Sequence, residues 1–158
     1  MRVEAREAAY VEFVTARQTH LRRLAYALCG DWRQADDLLQ AALVRLYVAW
    51  PRVWRLGTEE SYARRLIIRA RLDERGGLRR RGRESTDEHV TDADDRTALF
   101  AALQSLPEAQ RKAVVLHHWL GLSLEEAAED LGIPQGTVRG HAERGLAVLE
   151  SAPAREER

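Results

Sequence analysis

Apolar residues recur three and four apart along almost the whole chain, and nowhere do they alternate as a half-buried strand requires. Tyr10, Phe13, Val14, Arg17, Leu21, Leu24, Ala25 and Leu28 form one such stripe, apolar but for Arg17. Ala35, Leu38, Leu39, Ala42, Leu43, Leu46 and Trp50 form a second. A period of 3.6 with no period of 2 confines the chain to helix packed on helix. Breakers then divide the pattern. Gly30-Asp31 ends the first helix and caps the second, and Pro51 is expected to stop the second. A loop over 51–58, holding Trp54 and Gly57, leads to a third helix from about Glu59 to about Arg75, where Gly76-Gly77 is expected to break it. Helices resume near Arg96. Ser105 with Glu108, and Ser123 with Glu126, both have capping-box spacing, and Pro107 has a favourable first-turn position. Val114, Val115 and Trp119 make an apolar stripe, Gly132 a turn, and the last helix is expected over about 135–150.

Charge divides the chain as well. The 158 residues carry 25 basic and 25 acidic groups, but unevenly. Residues 1–83 hold 18 Arg and 10 Asp or Glu, net +8; residues 84–106 are net −5 and residues 107–158 net −3. From 84 to 95 the only large apolar residue is Val90, so this stretch cannot bury enough surface to order itself. The expected architecture is all-α: a helical domain over 1–85, an acidic flexible linker over 86–96, and a second helical domain over 97–158 containing a helix-turn-helix. Each half can bury only a modest core. No apolar run approaches the roughly 18 residues that span a bilayer, and the first ten residues lack the apolar core of a signal peptide, so a cytoplasmic protein away from the membrane is expected. Cys29 is the single cysteine, which excludes an internal disulfide and a multi-cysteine metal site; it reads as a small buried residue near a helix end. Lys112 is the only lysine, so nearly all the positive charge is guanidinium, which grips phosphate bidentately.

The segment 123–149 meets the requirements of a helix-turn-helix. Ala127 and Ala128 are small where two helices must cross, Gly132 tolerates positive φ at the turn, and Val138 pins the second helix to the first, with Leu146 and Leu149 continuing the buried side. The exposed side then carries Gln135, Thr137, Arg139, His141, Glu143 and Arg144, which can reach phosphates and base edges. On spacing alone an ordinary helical hairpin with a solvated face stays open. Leu106-Pro107-Glu108-Ala109-Gln110-Arg111, Gly121-Leu122-Ser123, Glu126-Ala127-Ala128, Leu131-Gly132-Ile133-Pro134, Gly136-Thr137-Val138-Arg139 and Arg144-Gly145-Leu146-Ala147 together resemble the fourth region of sigma-70 family factors. The resemblance implies binding to the minus-35 promoter element, through those six exposed residues, and docking on the polymerase flap. The chain departs from the family at Gly140, where Ser is usual, and at His141, where a basic residue is common.

The second helix has a polar side: Arg33, Asp36, Asp37 and Gln40 lie at helical spacing away from its apolar stripe. Periodicity alone is compatible with a solvated face. Gly30-Asp31 followed by Ala35-Asp36-Asp37-Leu38-Leu39-Gln40 resembles the family's second region, with Asp37 and Gln40 matching its Asp and Gln. The resemblance implies that this face binds the clamp helices of the largest polymerase subunit. The third helix carries Arg64, Arg65, Arg69, Arg71 and Arg75, with Asp73 and Glu74 among them, and Trp50, Trp54 and Tyr62 nearby. Arginines beside aromatic rings suit single-stranded DNA, because unpaired bases stack on rings while guanidinium groups track phosphates. Trp50 reads as core; Trp54 reads equally as core or platform. The resemblance assigns minus-10 recognition and strand opening to this segment, hence to Trp54, Tyr62, Arg64, Arg65, Arg69 and Asp73. Arg69 stands where family members often have Asn.

The resemblance spans about 10–83 and 99–149 and leaves no room for the family's first or third regions. That is similar to the minimal, extracytoplasmic-function (ECF) group, and 144–147 is similar to a sigma-E-type branch. It implies a transcription initiation factor whose partners are core RNA polymerase and promoter DNA, with an anti-sigma protein a further partner it admits, and with no cofactor, metal or catalytic residue. No Ser-His-Asp set, metal spacing or phosphate-cradling glycine loop occurs, and His117-His118, as helix neighbours, do not face the same way. Two other classes fit parts of the pattern. A helix-turn-helix activator would need a receiver or ligand domain upstream, and residues 1–83 show no alternation of strands and helices. A helical adaptor that titrates an anti-sigma protein would not need the surface arginines.

Overall fold

The computed structural model describes the backbone over residues 2–81 and 95–151, with side chains over 3–70 and 98–151. Every described element is helical, as the spacing predicts. The chain divides into two compact units, Met1–His89 and Val90–Arg158. The linker expected over 86–96 falls, up to residue 94, outside the described residues.

The first unit is a three-helix bundle of α1 (Arg2–Cys29), α2 (Trp32–Val53) and α3 (Glu59–Arg81). Gly30 (φ 76°) turns the chain after α1. Asp31 then caps α2, its carboxylate accepting the Arg33 N–H at 2.8 Å, a bond worth about 1 kcal/mol. α2 lies between its neighbours, packing against both. Leu21, Leu24, Leu28, Leu38, Leu46 and Ile67 are fully buried between the three, each contributing roughly 1.5–3 kcal/mol. Tyr10, Phe13 and Val14, farther toward the start of α1, are half-buried. They line α2 all the same: the Tyr10 hydroxyl donates to the Leu43 carbonyl at 2.7 Å, and Tyr10 and Phe13 flank the Trp50 ring at 5.3 and 5.7 Å. Trp50 is core, with Nε1 donating to the Arg6 carbonyl at 2.9 Å. Arg17 interrupts the apolar stripe because it grips Glu60 on α3, through Nε at 2.8 Å and Nη2 at 2.7 Å.

Three local expectations change. Pro51 does not stop α2, which continues to Val53. Proline forfeits its own N–H bond and crowds the carbonyl four residues earlier, but burial of Val53 together with the Trp54 N–H bond to the Trp50 carbonyl at 3.0 Å holds the last turn. Gly76-Gly77 does not break α3, which runs on to Arg81. A helical glycine costs about 1 kcal/mol, a penalty rather than a prohibition. Cys29 is half-buried rather than buried, its thiol donating to the Asp31 carbonyl at 3.4 Å.

The second unit holds α4 (Asp95–Leu103), α5 (Glu108–Ala113) continued by a π-helical segment (Val114–Trp119), α6 (Leu124–Leu131) and α7 (Gln135–Ser151). Phe100, Leu103, Leu106, Val115, Leu116, Ala127 and Val138 form its core. The capping box expected at Ser105 and Glu108 does not form. Pro107 is the cap residue, the Ser105 hydroxyl donates to the Ala102 carbonyl at 2.7 Å, and the Glu108 carboxylate lies 3.3 Å from Arg111 and 4.0 Å from Lys112. Arg111 does the capping instead. Buried to 8% exposure, it donates to the Leu103 carbonyl (3.1 Å) at the end of α4, which also accepts the Leu106 N–H at 3.1 Å, and to the Leu106 carbonyl (2.9 Å) in the loop that follows.

Candidate nucleic-acid and partner interfaces

The helix-turn-helix is built by local chemistry. Ser123 and Glu126 form a complete capping box: the Glu126 N–H donates to Ser123 Oγ at 3.0 Å and the Ser123 N–H to Glu126 Oε1 at 2.9 Å. This fixes the start of α6. Gly132 closes it at φ 72°, a conformation that costs side-chain-bearing residues, while its N–H bonds the Ala128 carbonyl at 2.7 Å. Ala127 is fully buried where α6 meets α7; Ala128 is half-buried. The π-helical segment supports α6 from beneath. Its wider turn carries the chain to Leu122, whose carbonyl accepts from His117 Nδ1 at 2.7 Å, and the His118 ring meets that of His117 edge-on at 4.8 Å.

α7 presents two faces. Val138, Ala142 and Gly145 are buried; Leu146 and Leu149, expected to be buried, are half-buried at the edges. Gly145 marks the closest approach: a Cβ there would lie 2.7 Å from Val114 Cγ2 and 3.3 Å from Gln110 Cβ. On the other face Gln135, Thr137, Arg139, Glu143 and Arg144 are exposed and His141 is half-exposed, so the helix brings all six expected residues to its open side. Arg144 Nη2 lies 3.1 Å from His141 Nδ1. Donors of both charged and neutral type thus line a helix narrow enough for a major groove, with Glu143 the single acceptor of negative charge among the six.

In the first unit Arg33, Asp36, Asp37 and Gln40 share one exposed face of α2. They are not equivalent. Asp36 is held by Arg22 of α1, Nε to Oδ1 at 2.6 Å, and the Arg22 guanidinium lies 4.3 Å above the Trp32 ring, itself stacked 3.9 Å from Tyr26. Arg22 and Trp32 therefore belong to this surface, although no local signal marks them: Arg22 meets Asp36 only because the helices form an antiparallel pair. Farther along α2, Val44, Val48 and Leu56 in the following turn are exposed apolar residues.

The expected minus-10 set is divided. Trp54 and Tyr62 are half-buried at the junction of α2 and α3, with Arg52 Nη2 donating to the Tyr62 hydroxyl at 3.3 Å. Arg65 is half-exposed and Arg69 exposed. Arg64 is 8% exposed and so offers little to a ligand from this state; its charge, after burial and Arg17, helps hold the His20 pKa below its ordinary value. Asp73 lies in α3, and its side chain, like those of Arg71, Glu74 and Arg75, is outside the described residues.

Comparison with known proteins agrees with the division into units. The model of sigma-70 region 2 matches residues 13–84 and that of sigma-70 region 4 matches residues 96–149. The chain is 37% identical to an RNA polymerase sigma-E factor of Streptomyces avermitilis over 147 residues, covering 89% of this chain and 82% of the relative. It is 33% identical to the ECF RNA polymerase sigma factor SigE of Mycolicibacterium smegmatis, covering 92% of this chain and 62% of the relative. Among solved structures it resembles the sigma factor RpoE in complex with the anti-sigma factor NepR from Bartonella quintana (TM-score 0.72, 21% identity, 90% of this chain and 94% of that one). It also resembles CnrH in complex with the cytosolic domain of CnrY (TM-score 0.64, 21% identity, 92% of this chain and 87% of that one).

Proposed function

The chain belongs to the sigma-70 family, as an ECF-type RNA polymerase sigma factor that directs transcription initiation, and from that premise we propose how its surfaces divide the task. The polar face of α2, Arg33, Asp36, Asp37 and Gln40, binds core RNA polymerase. The junction of α2 and α3 engages the opened minus-10 element: Trp54 and Tyr62 stack on unpaired bases while Arg65 and Arg69 follow the phosphates, with Arg64 and Asp73 in supporting positions. The open face of α7, Gln135, Thr137, Arg139, His141, Glu143 and Arg144, reads the minus-35 element in the major groove. The domains assigned to these tasks are 1–85 and 97–158, with 86–96 between them.

The observation that carries this reading is α7: a helix entered through the turn at Gly132, whose six polar residues face outward while Val138, Ala142 and Gly145 face the core. The reading needs no cofactor and no catalytic residue, and the protein works in the cytoplasm with polymerase; no helix among the described residues is long and apolar enough to cross a membrane. An anti-sigma protein is a further partner, because similar folds are known in such complexes. Binding and transcription with separate surface variants test the division. Asp37→Ala with Gln40→Ala is expected to reduce capture by core polymerase, Arg139→Ala with Arg144→Ala to reduce use of the minus-35 element while capture persists. Loss of polymerase capture by the α7 variant alone would refute it.

A further inference from the structure

Arg144 does not stand alone on the open face of α7. Its Nη2 lies 3.1 Å from Nδ1 of His141, one turn earlier. Arginine has no acceptor, so it must donate and the imidazole must accept; the ring hydrogen then sits on Nε2. The guanidinium reaches this place by lying back across Gly140. A Cβ built there would be 3.3 Å from Arg144 Nη1, 3.7 Å from Nη2 and 3.8 Å from Cζ. Gly140 therefore leaves open the space over which the guanidinium rests, and His141 supplies the hydrogen bond that keeps it there.

We propose that His141 and Gly140 are positioning residues for Arg144 and together set a preference for guanine at one base pair of the upstream promoter element. The inference rests on the reading of α7 as the promoter-reading helix. An unrestrained arginine on a helix surface samples many rotamers and must be ordered when it binds. A guanidinium already anchored through one nitrogen offers its remaining N–H groups in a defined direction. With Nδ1 taken up by Arg144, the imidazole leaves no free acceptor beside it, so the guanidinium presents donors and no acceptor. Of the four bases only guanine offers two acceptors side by side, N7 and O6, on its major-groove edge. Adenine presents a donor beside its acceptor and would meet donor against donor.

The test is holoenzyme made with core polymerase, transcribing a promoter library randomised across the upstream element, with base preference read from the transcripts. Arg144→Ala is expected to lose guanine preference at one position by roughly 5- to 150-fold. His141→Ala is expected to weaken preference at that same position, by roughly two- to fivefold, and to do nothing further in the Arg144→Ala background. His141→Asn, whose Oδ1 occupies the place of Nδ1 relative to Cγ, is expected to restore it. Gly140→Ala is expected to raise the unfolding temperature, since alanine favours helix, yet to reduce the same preference by displacing the guanidinium; a merely structural role would not separate the two readouts. His141→Ala acting at a different base pair, or still acting without Arg144, would overturn the proposal, as would unchanged preference in both His141→Ala and Gly140→Ala. If Arg144→Ala and Arg139→Ala leave every upstream preference intact, it is the reading of α7 itself that fails.

Discussion

Two glycines of α7 lead to opposite expectations for one substitution. Replacing Gly145 by alanine places a methyl 2.7 Å from Val114 Cγ2 and 3.3 Å from both Cβ and the carbonyl oxygen of Gln110. Val114 is β-branched, stiff at χ1 and buried, so it cannot swing aside, and the Gln110 contact includes backbone. Overpacking of this kind costs about 1–3 kcal/mol, partly offset by the roughly 1 kcal/mol that alanine gains over glycine in a helix. The net is a loss of about 0–2 kcal/mol, a downward shift of the second unit's unfolding midpoint by up to several degrees. The atoms nearest a Gly140→Ala methyl belong to the Arg144 guanidinium, 3.3 Å away at the far end of a long side chain that can shift, so the helix-propensity gain dominates and the midpoint rises. Thermal and urea unfolding followed by far-ultraviolet circular dichroism, on the full chain and both variants in parallel, reads the two signs. A Gly145→Ala variant that gains stability as Gly140→Ala does would refute the close packing of α7 on the π-helical segment.

Further outcomes follow from other contacts. Arg111→Met takes the side-chain donor from the Leu106 carbonyl and one of two donors from the Leu103 carbonyl, and a loss of about 1–3 kcal/mol is expected in urea titrations, against near-neutral values for exposed Arg139→Met. Asp37→Ala with Gln40→Ala is expected to change stability by no more than about 0.5 kcal/mol while weakening pull-down by core polymerase, since both side chains are exposed. Burial first, and Arg17 next, hold the His20 pKa below its ordinary value, so the unfolded chain takes up the proton more readily than the folded one. Stability of the first unit is therefore present above the ordinary histidine range and declines as pH falls through it, and His20→Gln is expected to flatten that decline in denaturation midpoints measured from pH 8 to 5.

Much of this was legible because it is local. The apolar stripes of α1 and α2, the Ser123–Glu126 box, the turn at Gly132 and the outward set on α7 are all decided by residues within one or two turns of each other. Pro51 and Gly76-Gly77 show the complementary side: a breaker imposes a local cost and not a prohibition, and at Pro51 the tertiary burial of Val53 outweighs it. Ser105 shows the same competition, because its partner Glu108 is drawn to Arg111 and Lys112. Arg22, buried Arg64 and the close approach at Gly145 depend on which helix faces which, and spacing within one helix carries no record of that. The π-helical segment is equally silent in sequence; Val114 to Trp119 reads as ordinary helix.

Run-off transcription bears most directly on the central claim. Core RNA polymerase, incubated with and without this protein, is offered genomic fragments, and the transcripts are mapped. The account predicts discrete start sites that appear only with the protein present, share an upstream and a minus-10 element, and vanish with Arg139→Ala and Arg144→Ala together. A protein that binds duplex tightly and sequence-specifically by itself, near the roughly 10⁻⁸ M typical of self-sufficient regulators, yet never brings core polymerase to a new start site, would contradict it.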